Sequence, residues 1–357
     1  ALLVFGCCFF TNAQNQHFIS NDTIVKLDTV VVSSLRMSPE RMPETKKNTV
    51  YSGKKNEVLK LSSFNANLTT NNAREVFSRV PGVNIWENDG SGVQINVGVR
   101  GLSPNRSWEL NVRQNGFDVS ADIFGYPEAY YNPPLEAVAS IELIRGGAAL
   151  QYGPQFGGML NYVLKRENTK KFSFETQNTI GSYNLMSSYN AIGGKLGKFS
   201  YYAYNHSRSA DGWRENSQYN VRNTHLFLEY AFTENTKLSA EYTNMVYDLQ
   251  QGGGLTDAQF NDNPRQSVRD RNWFGVPWNV FSLNFDTKIS ARLSSNTKFF
   301  GLVGERNSVG FTATPNMPDA INPTSNEYTN RRVDRDFYEN FGLENRNLLN
   351  YTLGDIE

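Results

Sequence analysis

The residues of this chain that could do chemistry are few. Its histidines are His17, His206 and His225, and none stands at metal-ligand spacing from another. His206 and His225 are read as wall residues of strands. Its cysteines, Cys7 and Cys8, both lie in the apolar run Leu2–Phe10. The chain beyond that run offers no thiol for a disulfide, a zinc site or a nucleophile. Gly193-Gly194-Lys195-Leu196-Gly197-Lys198 has the residue types of a phosphate loop, but its outer glycines stand one residue too close. Gly90-Ser91-Gly92 lacks the third glycine of a dinucleotide fingerprint, and carboxylate pairs such as Asp118 and Asp122 are ordinary in loops. No enzyme and no resident cofactor or metal is expected.

The arginines are better placed for chemistry. Arg214, Arg265, Arg269, Arg271, Arg331 and Arg332 fall in long polar connections, where guanidinium groups could bind carboxylates through paired hydrogen bonds. Neighbouring acids, Asp211, Asp262 and Asp270, make solvated loop charge the plainer reading for any one of them.

What positions these residues follows from composition and pattern. The 357 residues carry 35 Lys plus Arg and 35 Asp plus Glu, a balance unlike that of a nucleic-acid binder. Hydrophobic residues are 39% and mean hydropathy is −0.53, which rules out a bundle of membrane-spanning helices. Aromatic content is nonetheless 13%. Outer-membrane β-barrels combine a polar lumen with aromatic girdles in this way.

Residues 1–13 read as the remnant of a secretory signal, with small residues before a cut after Ala13. Residues 14–48 are a polar linker interrupted by the β-prone segment 27–33. Such a strand is either tied to the next domain or waits for a partner's sheet edge. Residues 49–165 read as an α+β module. Asn72 and Glu75 resemble a capping box, Pro81-Gly82 ends the helix, and Asn115-Gly116 makes a hairpin turn. From residue 170 to 357 the pattern is alternation: Phe281, Leu283, Phe285 and Ile289 face one way, Ser282, Asn284, Asp286 and Lys288 the other. Strands are expected near 172–181, 184–193, 198–207, 221–232, 236–248, 279–289, 296–311 and 336–350. The connections between them are mostly short and long by turns, as in an outer-membrane barrel, although the first, Gly181-Ser182-Tyr183, is short where a long one is due. A soluble β-rich protein is the alternative.

The motifs in order resemble the TonB-dependent outer-membrane receptors. Asn72–Val83 is similar to their early helix and "PGV" ending, Val97-Gly98-Val99-Arg100-Gly101 to their "I-x-x-R-G" strand, Ile141–Gly153 to "IEVIRGPASALYG", and Gly157–Val163 to "GGVINIIT". Arg145-Gly146-Gly147 followed by Tyr152-Gly153-Pro154-Gln155 resembles the ferric-citrate receptors most. The resemblance implies an α+β plug domain followed by antiparallel transmembrane β-barrel strands, about 8 of roughly 22, with about 300 further residues completing the barrel. Pro81, Gly82, Arg100, Gly101, Arg145, Gly146, Gly147, Tyr152, Gly153, Gly157 and Gly158 then carry the plug motif, with Arg100 and Arg145 in buried ion pairs between plug and wall. Asp28, Thr29, Val30, Val31 and Val32 become a TonB box, adding as a strand to the sheet of TonB and its inner-membrane energising complex. Ligand contact is expected from the plug apices, at Asn105, Arg106, Phe124 and Tyr126, and from Arg214, Arg265, Arg269 and Arg271. Iron would arrive inside a citrate-like ferric siderophore. Another siderophore, cobalamin or an oligosaccharide are the alternative cargoes, and a passive porin or adhesin the alternative class. A monomer in outer-membrane lipid, without nucleic acid and without a transcriptional signalling domain, completes the expectation.

Overall fold

The computed structural model describes residues 39–351, apart from 52–55, 64–65, 122–129, 154 and 168. The expected signal segment, the segment 28–32, Phe124 and Tyr126 lie outside the described residues.

The N-terminal module begins with short pairings. Strand β1 (Glu40–Arg41) is followed by the hairpin of β2 (Thr45–Lys46) and β3 (Thr49–Val50), then by β4 (Glu57–Lys60). Helix α1 (Ala73–Phe77) is only five residues long, because Pro81-Gly82 follows closely. It buries Ala73, Val76 and Phe77. The expected capping box does not form. Asn72 makes no cap bond, its amide instead reaches Glu75 at 3.3 Å, and Glu75 accepts from the Asn67 N–H at 2.7 Å.

Strands β5 (Val83–Glu87) and β6 (Ile95–Val99) pair with each other. Next come β7 (Leu110–Gln114), β8 (Phe117–Asp118), β9 (Val138–Ile144) and β10 (Gly158–Leu164). They build a six-stranded sheet in the order β1-β4-β9-β10-β7-β8, in which only β10 and β7 run parallel. The β7–β8 turn is Asn115-Gly116 with φ of 47° and 84°, the left-handed pair that a tight hairpin requires. The core between sheet and helix is apolar, with Leu59, Phe77, Val99, Leu110 and Ile141 all but inaccessible.

The rest is one eight-stranded antiparallel sheet, each strand bonded to the next in sequence. Its strands are β11 (Ser173–Gly181), β12 (Leu185–Leu196), β13 (Phe199–Ala210), β14 (Tyr219–Ala231), β15 (Thr236–Gln250), β16 (Trp273–Lys288), β17 (Leu293–Gly310) and β18 (Arg332–Leu349). All eight fall where alternation places them. Helix α2 (Asp257–Asp262) is an addition, set by a capping box in which Thr256 and Gln259 bond reciprocally.

The burial pattern separates a membrane wall from a soluble sheet. On β16 the polar Ser282 and Asn284 are 4% and 9% exposed, whereas Leu283 and Phe285 are 46% and 40% exposed. At this end of β16 polar side chains face the module and apolar ones face outward, while Phe274, Val276, Trp278 and Val280 pack inward against the module. The exposed apolar outer face suits a wall with lipid outside. Near the short turns, Phe199, Tyr230 and Phe232 add an outward aromatic cluster. Glycines make room for rings within the sheet. A Cβ on Gly304 would stand 2.3 Å from Trp278, and one on Gly301 would stand 2.4 Å from Phe281.

Candidate functional site

The module is fastened to the sheet by buried polar contacts. The hairpin tip of β7–β8 is one anchor: Gln114 Nε2 donates to Thr243 Oγ1 at 3.1 Å, Asn115 Nδ2 to Glu241 at 2.7 Å, and Lys298 Nζ to the Asn115 carbonyl at 3.1 Å. Thr243 Oγ1 also lies 2.8 Å from His225 Nδ1, so His225 is a wall residue. Arg113 pairs with Glu344 of β18 at 2.8 Å while stacking over the Tyr152 ring. Arg208 of β13, 1% exposed, donates to the carbonyls of Thr69 and Ser91.

Among the described residues, the ion pair of Arg145 lies inside the module and not with the wall, against expectation, and Arg100 has no wall pair. The Arg145 guanidinium binds Glu57 and the Pro81 carbonyl, both inside the module, and its backbone N–H donates to Asn56. Arg100 is exposed, with a φ of 55°, and its N–H closes the turn onto Gly82. Both arginines brace the turn that ends the helix, Arg145 through the Pro81 carbonyl and the Arg100 N–H through the Gly82 carbonyl. The wall instead uses Arg113, which a motif reading passes over.

The long connections 211–218, 251–272 and 311–331 gather at one end of the sheet. There a cavity of about 590 Å³ lies between the first two of them and the β5–β6 turn, lined by Asn88, Asp89 and Gln94 below and by Trp213, Arg214 and Gln251 above. Burial raises the Asp89 carboxyl above the usual carboxylate range, against the bond it accepts from the Ser91 N–H at 2.6 Å. The turn 88–94 is therefore the part of the module that meets the loops. Sequence reading found only two glycines of a failed nucleotide motif there. Asn105 is exposed on the turn Asn105–Ser107, which also holds the backbone of Arg106, and Asn105 does not line this cavity.

Arg214 and Arg269, expected at a ligand, hold the loops together. Arg214 donates to the carbonyls of Gly253 and Gln266, both at 2.9 Å. Arg269, 4% exposed, donates to the carbonyls of Val268, Met317, Ala313 and Thr314. Their terminal guanidinium nitrogens bond backbone oxygens, which loops of this length must place somewhere. Arg265 donates to the Trp213 carbonyl at 2.9 Å, and Arg271 lies over the Tyr328 ring at 3.3 Å. Arg331 pairs with Asp319, and Arg332 with Asp334.

Residues 57–159 match the family model described as the TonB-dependent receptor plug domain. That span is a TonB-dependent receptor plug domain. The solved structures this chain resembles share the plug-and-wall fold. One is the ferric citrate transporter FecA in its unliganded form, at 23% identity and a TM-score of 0.70, covering 84% of this chain and 45% of that one. Another is the copper transporter OprC, at 12% identity and 0.63, covering 89% and 45%. A third is the ferric-catecholate import receptor Fiu from E. coli K12, at 13% identity and 0.57, covering 82% and 45%. The chain thus spans a little under half the length of these proteins.

One plug residue stands out electrostatically. Glu136 is buried, and neither carboxylate oxygen has a hydrogen-bond partner. Burial raises its pKa above the ordinary value, and Arg208 offsets this in part. A raised native pKa means that the folded plug holds the proton more tightly than the unfolded chain. The resulting stability is complete below the unfolded pKa and is lost as pH rises through the native one. Glu136→Gln should therefore stabilise the plug at neutral pH by about 1–3 kcal/mol and flatten its pH dependence. Denaturant melts at pH 5 and pH 8 check this, and a variant less stable than the wild type at pH 8 would contradict it.

Proposed function

We propose that this chain belongs to a receptor for active uptake of an anionic ferric chelate, citrate-like, across the outer membrane of a Gram-negative bacterium. Energy would enter through TonB at Asp28–Val32, and the receptor would work as a monomer in lipid. Its work is binding and transport, with iron entering as part of the cargo. The observation that carries this reading is a plug held against the wall by buried polar bonds: a passive pore or adhesin has no use for an occluding domain with a coupling strand. The resemblance of Arg145–Gln155 to the ferric-citrate receptors supports the cargo.

The test uses the full-length receptor and tryptophan fluorescence, since Trp213 lines the outer cavity. Ferric citrate should quench saturably, while iron-free citrate and a catecholate ferric siderophore should not, and Trp213→Phe should remove the signal. Deleting residues 28–32 should abolish uptake and leave binding intact. Absence of any response to ferric citrate would sink the cargo, and undiminished uptake by the deletion would sink the coupling. One observation favours a second reading with another siderophore, cobalamin or an oligosaccharide as cargo: the terminal guanidinium nitrogens of Arg214 and Arg269 are already engaged by the loops.

A further inference from the structure

A different cavity carries the unspent positive charge. It lies between the β2–β3 hairpin and the wall strands β17 and β18, toward the short-turn end, and has a volume of about 370 Å³. Five cations line it, Lys46, Lys47, Arg166, Lys298 and Arg346, against one lining carboxylate, Glu142. Glu142 is already engaged by Lys46 and by Asn161. The acids just outside are engaged too. Glu344 holds Arg113 and Arg346, Glu241 accepts from Asn115 and Ser282 and stands 4.0 Å from Arg166, and Asp286 accepts from Asn284 and Asn296. Lys47 has no hydrogen bond or ion pair among the described residues, and Lys298 spends one donor on the Asn115 carbonyl. Lys47, Asn48 and Arg166 also line a second cavity of about 370 Å³ that reaches Asn235 and Lys288 at the short turns.

Hydrogen bonds from neutral amides leave the charges of Glu241 and Asp286 in place a layer behind the lining, and Glu344 pairs Arg346. Among the described residues the lining itself is still five cations to one carboxylate, a surplus that an anion would complete. We propose that this cavity is an anion site for a polycarboxylate, held by Lys47 and Lys298 with Arg166 and Arg346 behind them. Its volume suits a small chelate. Resting on the uptake reading above, the site would receive the cargo after it leaves the outer cavity and before it passes the short turns. The surplus of charge lies here and not at the outer cavity, whose lining charges are Asp89 and Arg214.

Trace acetylation of lysines in the full-length receptor, read by mass spectrometry, tests the site directly. Millimolar citrate, against sodium chloride at equal ionic strength, should slow acetylation of Lys47 at least about threefold, as for a site mostly occupied. Lys60 and Lys195, which line neither cavity, should be unaffected. Equal rates at Lys47 in both salts, or equal slowing at Lys60 and Lys195, would overturn the site. In cells, Lys47→Gln should lower ferric citrate uptake about fivefold with surface binding unchanged, and Lys47→Arg should restore it. Normal uptake by Lys47→Gln would overturn the staging role. A wild-type receptor that protects Lys47 but takes up no ferric citrate would uphold the site and overturn the cargo.

Discussion

Arg208→Ala is expected to free the plug segment 69–92 from the wall. The Arg208 side chain is 1% exposed and supplies the wall's donors to the Thr69 and Ser91 carbonyls. A buried hydrogen bond from a charged donor contributes about 1.5–3 kcal/mol, so losing two leaves this contact weaker by about 3–6 kcal/mol. The same substitution removes the cation that opposes the raised pKa values of Asp89 and Glu136. Amide hydrogen exchange in 69–92 should accelerate by orders of magnitude, while the amides of β15–β18 stay protected. Because Asn88, Asp89 and Gln94 line the outer cavity, ligand affinity should fall as well. Arg208→Lys should rescue only part, since an ammonium cannot reproduce the planar fork that spans two carbonyls. Unchanged exchange in 69–92 would show that the latch lies elsewhere.

The second large effect is expected at Gly158. Its φ is 103°, and a Cβ there would stand 2.1 Å from the Ile144 carbonyl oxygen, where β10 begins to pair with β9. Backbone cannot yield there without breaking the central pair of the plug sheet. Gly158→Ala should cost about 3 kcal/mol or more, combining a disfavoured backbone region with a clash. Gly82 is the control. Its φ is 74° but a Cβ would meet nothing within 4 Å, so Gly82→Ala should cost only about 1 kcal/mol. Urea melts and protease resistance of the purified receptors should separate the two. Equal behaviour would mean that φ alone, and not the close approach, sets the need for glycine.

The wall was legible because period-two alternation and turn residues are local signals. The exception is instructive. Strand β16 starts at Trp273, earlier than the expected 279, since Pro277 argues against strand. The structure admits it by leaving the β16–β17 ladder open between Gly275 and Trp278 while Pro277 still pairs with Val246. Helix α2 had a readable signature in Thr256 and Gln259, but six residues show too little of the helical period to stand out. The plug–wall partners had no signature at all. Gln114 and Thr243 are 129 residues apart, and no spacing rule encodes such a meeting. Nor could sequence tell an arginine aimed at a ligand from Arg269, whose partners are backbone oxygens that every loop contains.

The plug is not held with uniform strength along its length. Its N-terminal strands β1 and β2 each rest on ladders of two residue pairs, Glu40↔Val58 with Arg41↔Glu57, and Thr45↔Val50 with Lys46↔Thr49. Behind them β9 and β10 share a ladder running from Met159↔Ile144 to Leu164↔Val138. A tensile load entering from the N-terminal side would meet the weakest ladders first and peel them pair by pair. The long ladder behind must break several bonds together and would yield last. The fold is thus a mechanical fuse in series, with β1 on the first link, Lys46 and Lys47 on the second, and the β9–β10 ladder on the last.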